Sequence, residues 1–354
     1  MLLPGTLLGV WNLIGISSHQ SADSVSRVWI QAHGHAQLFG WVGTFIIGIS
    51  LYALPKFRGV WIRSLATGWG MLALWSAALA ARWASAIWSW HWGMVWLLSA
   101  AAELVVALLL LWQVTAASPA RRPLELSQKL ILTGLGGLIT TLSLQLVLAL
   151  RISGPVIPAA QNDLLLYLAL WTFCFRVVWG FSSRFLRSFL GLTRPDKKLA
   201  YAGLGLLAAV AAACWSMKVF HPGERPAKVI GVDPRYPWFT RAAFGWLMLS
   251  AVLAVVGASP GLTGAPRHAF TVGFLATLIL AINPCILPAF LNSRQLWCKR
   301  LMLLSLAALT LGCGLRVVSE PLAYAGVFPG AWSLLPVSAL TDLTAVSFKR
   351  PYLE

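Results

Sequence analysis

Residues 35–57, HAQLFGWVGTFIIGISLYALPKF, and residues 268–290, HAFTVGFLATLILAINPCILPAF, align without a gap. They agree at nine positions: His35/His268, Ala36/Ala269, Gly40/Gly273, Thr44/Thr277, Ile46/Ile279, Ile49/Ile282, Leu54/Leu287, Pro55/Pro288 and Phe57/Phe290. The two segments start 233 residues apart (268 − 35). Each is about one membrane-spanning helix of roughly 20 apolar residues long, with a histidine at its first turn and a Leu-Pro stop at its last. A chain that writes the same histidine-headed helix twice is held to a helical architecture in which two imidazoles are presented in the same way.

The rest of the chain agrees with that architecture. Of 354 residues, 58% are hydrophobic and only 10% charged, the composition of a protein that crosses a membrane many times. Eleven apolar spans can be read, at about 2–17, 35–54, 64–82, 90–114, 130–150, 163–182, 199–219, 239–257, 268–290, 300–318 and 322–348. None shows strand-like alternation, so the expectation is an all-α, polytopic transmembrane helix bundle of about 11–12 spans. The expected organisation is a single bundle over 1–354, with a pseudo-repeat of helix hairpins at 35–82 and 268–316. Residues 2–16 lack a basic leader and a clear cleavage site, so they read as a retained first helix. The five cysteines (Cys174, Cys214, Cys285, Cys298, Cys313) form no CxxC pair and read as small apolar residues.

Net charge is +17, but the basic residues sit in short loops between spans. That placement fits topology signals and lipid headgroup contacts rather than a nucleic-acid surface. Lys56, Arg58 and Arg63, then Arg121, Arg122 and Lys129, then Arg184, Arg187, Arg194, Lys197 and Lys198 mark three loops as cytoplasmic. The second half breaks the alternation. Lys218, Arg225, Lys228, Arg235 and Arg241 follow only one span later, and six spans between the histidine helices would make them antiparallel. One miscounted crossing between 163 and 241 repairs both faults, through a double crossing of 163–192 or a re-entrant span. Nineteen tryptophans, with Trp83, Trp88, Trp90, Trp92 and Trp96 crowded together, fit aromatic belts at the headgroup level.

Two matched imidazoles are what a protein needs to hold a haem iron from both sides. His33 and His35 lie about 200° apart on a helical wheel, so one helix cannot turn both to one metal. His35 has a counterpart in His268, whereas His33 faces Pro266 in the alignment, so His35 is the better ligand. Small neighbours, Gly40 and Gly43 in one copy and Gly273 and Ala276 in the other, allow close approach of a helix or a flat cofactor. Arg82 and Arg316 each end the span that returns to the histidine end of its partner, where haem propionates would need cations. His91, among the tryptophans, is a further candidate metal ligand. Glu103 and Arg176 fall inside spans, where ionisable groups are costly; they are functional candidates or a mutual pair.

HGHAQLFGWVGTFIIGISLYALPKF resembles the histidine-rich second helix of the NnrS family, membrane proteins linked to nitric-oxide response, and GAPRHAFTVGFLATLILA resembles its other signature helix. The resemblance runs in order over most of the chain. It implies about twelve helices, haem (b-type) and copper content, and a bundle distantly like subunit I of haem–copper oxidases, in which two distant histidine helices clamp a haem. Carried over by position, it marks His33, His35 and His268. The chain departs from the family in its short amino terminus, in Asn283-Pro284-Cys285, and in a missing helix between 183 and 240. Turnover in the manner of such oxidases needs a trio of histidines around copper, and this chain has six histidines in all, with no His-His pair.

The expectation is therefore a haem-binding integral membrane protein, in a bacterial inner membrane, acting in nitric-oxide response or in protection of metal centres. Its partners would be the lipid bilayer and nitric oxide, with no nucleic acid. Two other classes remain open: a redox subunit completed by a partner chain, and a transporter built on Glu103, Arg176 and the pseudo-repeat.

Overall fold

A computed structural model describes residues 1–115, 123–192, 206–223, 232–256, 264–291 and 299–347. Every element in them is helical. Among the described residues, eight helices are long and apolar enough to cross a membrane: Arg27–Phe57, Leu65–Trp88, Trp92–Thr115, Leu126–Arg151, Ala159–Phe189, Tyr236–Val256, Gly264–Ile286 and Lys299–Tyr324. The chain is a membrane-embedded helical protein. These eight coincide with eight of the eleven expected spans. The other three coincide with α1 (Leu2–His19), an 11-residue helix and a 17-residue helix that are not among them. The expected basic residues Arg121, Arg122, Arg194, Lys197, Lys198, Arg225 and Lys228, together with Cys298, lie outside the described residues.

The contacts divide the chain into two units, Met1–Gly5 with Ser26–Ser182, and Thr6–Val25 with Ser183–Glu354. The first unit opens on the first histidine helix. It runs unbroken as α2 (Arg27–His35), a π-helical segment (Ala36–Gly43) and α3 (Thr44–Arg58). Two boundaries differ from the sequence expectation. The helix begins eight residues before His35, at Arg27, because the mixed stretch RVWIQAHG extends it beyond the purely apolar run. It also runs through Pro55 to Arg58, although proline there removes one backbone donor and crowds the carbonyl one turn earlier. It stops at Gly59, whose left-handed φ of +68° lets the Gly59 and Val60 amides close on the Lys56 and Pro55 carbonyls.

Then follow α4 (Leu65–Trp88), α5 (Trp92–Thr115), α6 (Leu126–Arg151), and a second long helix made of α7 (Ala159–Tyr167), a π segment (Leu168–Cys174) and α8 (Phe175–Phe189). Residues 159–189 are thus one continuous helix and not a hairpin, which removes the expected double crossing there. Helices α6 and α8 meet through glycine. A Cβ on Gly134 would lie 2.9 Å from the Val177 amide, and one on Gly180 would lie 2.7 Å from the Ser127 carbonyl oxygen. At the other end of the unit Trp96, Leu148, Ile157 and Leu165 form a buried apolar cluster.

The second unit contains α9 (Leu206–Ser216), α10 (Tyr236–Val256), then the second histidine helix: α11 (Gly264–His268), a π segment (Ala269–Ala276) and α12 (Thr277–Leu291). It ends with α13 (Lys299–Tyr324) and α14 (Ala331–Ser347), separated by a turn in which Gly326 takes φ +68°. That turn is why the expected span 322–348 divides. Gly273 seats Trp246 of α10, whose Cγ would be 2.6 Å from an added Cβ. Gly312 brings α13 onto α14, where an added Cβ would lie 3.0 Å from the Ser338 carbonyl. Ala265, Ala269, Cys313 and Val317 form the apolar cluster that ties α11 to α13.

Candidate functional site

In the first unit the buried His35 points its Nε2 at Glu103 of α5, 3.2 Å from Oε2. Its ring lies against Phe39, one turn on, with centroids 5.0 Å apart. Glu103 has no exposed surface. A carboxylate taken out of water costs several kcal/mol unless paired and hydrogen-bonded, and here three side chains donate to it. Ser99, one turn earlier on α5, reaches Oε1 at 2.7 Å; Gln145 of α6 reaches Oε2 at 3.2 Å; the His35 N–H reaches the same oxygen. Arg82 adds a positive charge near enough to act on both.

The partner of Glu103 is therefore His35. The expected Glu103–Arg176 pair is not what the structure builds. Gln145, Ser99 and the shared use of Glu103 were not read from the sequence, because nothing in an apolar span tells which of its small polar residues faces a carboxylate two helices away.

Arg82 does not end its helix as expected. Trp83 to Trp88 continue it for six residues, until Ser89 caps it in the left-handed region at φ +54°. Its guanidinium carbon stands 5.5 Å from the centre of the Trp96 ring, and its buried Nη1 has no acceptor. Gln31 holds the mouth of this region by clamping the Ile157 backbone at both its N–H (3.0 Å) and its C=O (2.8 Å). His33 lies on another face of α2, with Nδ1 2.7 Å from the Gly5 carbonyl. The expected metal ligand His91 sits exposed in the turn between α4 and α5 at φ +43°, its ring edge-on to Trp90 at 5.3 Å.

In the second unit His268 is half-buried, and Nδ1 lies 3.0 Å from the Gly264 carbonyl. A carbonyl only accepts, so Nδ1 carries a proton. Arg316 of α13 is buried but does not end its helix, which runs on to Tyr324. Its Nε is 3.5 Å from Glu320 Oε2, an ion-pair distance without hydrogen-bond alignment, and Nε and Nη1 have no acceptor. The Glu320 carboxyl rests on Gly264, where an added Cβ would be 2.5 Å from Oε2. Asp342 of α14 supplies a second carboxylate, over Gly312 and within electrostatic reach of Arg316.

Glu103 thus receives His35 directly, whereas in the second unit the carboxylates Glu320 and Asp342 attend Arg316. The likeness of the two histidine helices reaches the backbone, because an eight-residue π segment begins immediately after each histidine, at Ala36 and at Ala269. π-Helical turns are rare and gather at functional sites.

The donor set fits a haem at each histidine in turn. A metal-bound imidazole normally gives its other N–H to a carboxylate or carbonyl. His35 gives Nε2–H to Glu103, which turns Nδ1 the other way, and His268 gives Nδ1–H to Gly264. The unpaired Nη1 donors of Arg82 and Arg316 fit carboxylates such as propionates, although Arg316 already has Glu320 at ion-pair distance. Among the described residues no three His, Cys, Asp or Glu side chains gather into a group that could hold a metal ion. No family model matches the chain, and no curated protein is significantly similar to it.

Proposed function

We propose that the protein is a haem-binding integral membrane protein acting in nitric-oxide response or in protection of metal centres. The observation that supports the haem reading is the repeat of the histidine helix in sequence and in its π backbone, which sets His35 and His268 at the same place in their helices. The nitric-oxide role rests on the NnrS resemblance of the two histidine helices.

In this reading His35 and His268 would ligate haem iron, and Arg82 and Arg316 would hold its carboxylates. Haem supplies an iron that takes up and releases one electron. The chain orients the imidazoles through Glu103 and Gly264, and keeps the surroundings apolar through residues such as Phe39 and Phe270. Glu103 sets the proton on Nε2 of His35 and adds negative charge beside the ring, which favours ferric iron.

The test is a visible spectrum of the purified protein. A Soret band with the ferrous bands of an imidazole-ligated b-type haem is expected. His35→Ala and His268→Ala each lose stoichiometric haem, whereas His33→Ala keeps it, since its ring is turned to Gly5. No Soret band in the parent, or full haem content in both single variants, overturns the reading.

A further inference from the structure

A cavity of about 50 Å³ lies in the first unit between α2, the end of α4, the start of α5 and the 152–158 loop, partly open at its mouth. A single water takes up roughly 10–15 Å³ on this measure, so the space suits a group of three or four heavy atoms. Three lining side chains carry buried donors with nothing to donate to: Arg82 Nη1, Trp83 Nε1 and Trp96 Nε1. None of the acceptors nearby takes these protons: both Glu103 oxygens receive other donors, and the Gln31 amide is closed on the Ile157 backbone.

A buried donor left unpaired costs the whole of its desolvation. Three around one cavity are therefore complementary to something that brings acceptors only. Arg82, held over Trp96, makes the rim positive and excludes cations. Two flat indoles and a planar guanidinium fork suit a planar ligand with oxygens in its plane.

We propose that this cavity is a binding site for a planar monovalent oxyanion, carboxylate- or nitrate-shaped, received by Arg82, Trp83 and Trp96. The oxyanion group has two possible sources: a free small anion, or a carboxylate carried by a larger molecule, for which the haem propionate of the reading above is the case at hand. Only the second source rests on that reading.

The test uses the purified full chain in lipid nanodiscs, without added haem, and follows thermal stabilisation by sodium formate and sodium nitrate against sodium chloride at equal ionic strength. Saturable stabilisation by formate and nitrate, and none by chloride, is expected. Apparent affinity should fall about tenfold or more in the Trp83→Phe/Trp96→Phe double variant and vanish in Arg82→Gln. Arg82→Lys, which keeps the charge and loses the fork, should weaken it and serves if the Gln variant fails to fold.

Haem-loaded protein separates the sources. Formate binding abolished by haem, and restored with haem whose propionates are esterified, assigns the site to a propionate. Formate binding that survives haem loading assigns it to a free anion. A protein that never takes up haem leaves the formate measurement intact. No preference for formate and nitrate over chloride, or full binding in both Arg82→Lys and the double Trp variant, overturns the proposal.

Discussion

Glu103 receives His35, Ser99 and Gln145 at once, so replacing it removes one acceptor group and strands three donors. Glu103→Leu should lower stability by about 3–5 kcal/mol, the cost of breaking a buried charged network from one side, measured as thermal unfolding in detergent. Glu103→Gln keeps an acceptor and should cost much less. If the haem reading holds, the two charges flanking His35 move the iron in opposite directions. A carboxylate beside the ligand favours ferric iron, so Glu103→Gln should raise the midpoint potential. A guanidinium favours ferrous iron, so Arg82→Gln should lower it. Each shift should be on the order of 60 mV, a tenfold change in a one-electron equilibrium, read by redox titration of the haem band. Equal shifts of one sign would contradict the assigned charges. At this scale the sequence was half legible. The histidines declared themselves through the repeat, and Glu103 and Arg82 through charge in an apolar span. Gln145, Ser99 and Asp342 did not, because a polar residue on a helix carries no mark of which neighbour it faces.

The elements show the same division. Eight apolar runs became eight long helices, yet their ends moved by up to eight residues. Helix ends are set by capping geometry at Gly59 and Ser89, which hydropathy does not report. The glycines of α6 were unremarkable in the sequence, but they decide how closely α6 meets the 168–189 helix. A Cβ on Gly137 would lie 2.5 Å from the Thr172 carbonyl carbon, whereas one on Gly136 meets nothing within 4 Å. Gly137→Ala should therefore destabilise by about 3 kcal/mol through overpacking, and Gly136→Ala should be neutral or gain up to about 1 kcal/mol of helix propensity. Urea or thermal unfolding of the two single variants separates them, and equal effects would mean that α6 does not approach the other helix so closely.

For the whole molecule, composition was enough to give a membrane-embedded helical protein, while the topology between 163 and 241 was not readable. The continuous helix at 159–189 settles part of that interval, and 193–205 and 224–231 lie outside the described residues. In the first unit α4 runs once between the basic 59–64 segment and the Trp90–His91 turn. Single cysteines at Lys56 and at His91 should then label from opposite sides of the membrane, Lys56 from the cytoplasm. Labelling of both from one side would mean that α4 does not cross. The π segments have a consequence of another kind. Those at 36–43 and 269–276 each make the bearing of the preceding histidine a matter of residue count. Deleting one residue within 269–276 and letting the segment relax to an α-helix would shift the bearing of Arg267 and His268 relative to Thr277 and everything after it, because α and π turns advance differently per residue, with no side chain at the site changed. The same deletion within 36–43 would turn His35 away from Glu103. In both copies the aim of the imidazole is thus written in the spacing of an apolar stretch, where a lost codon would do more harm than most substitutions.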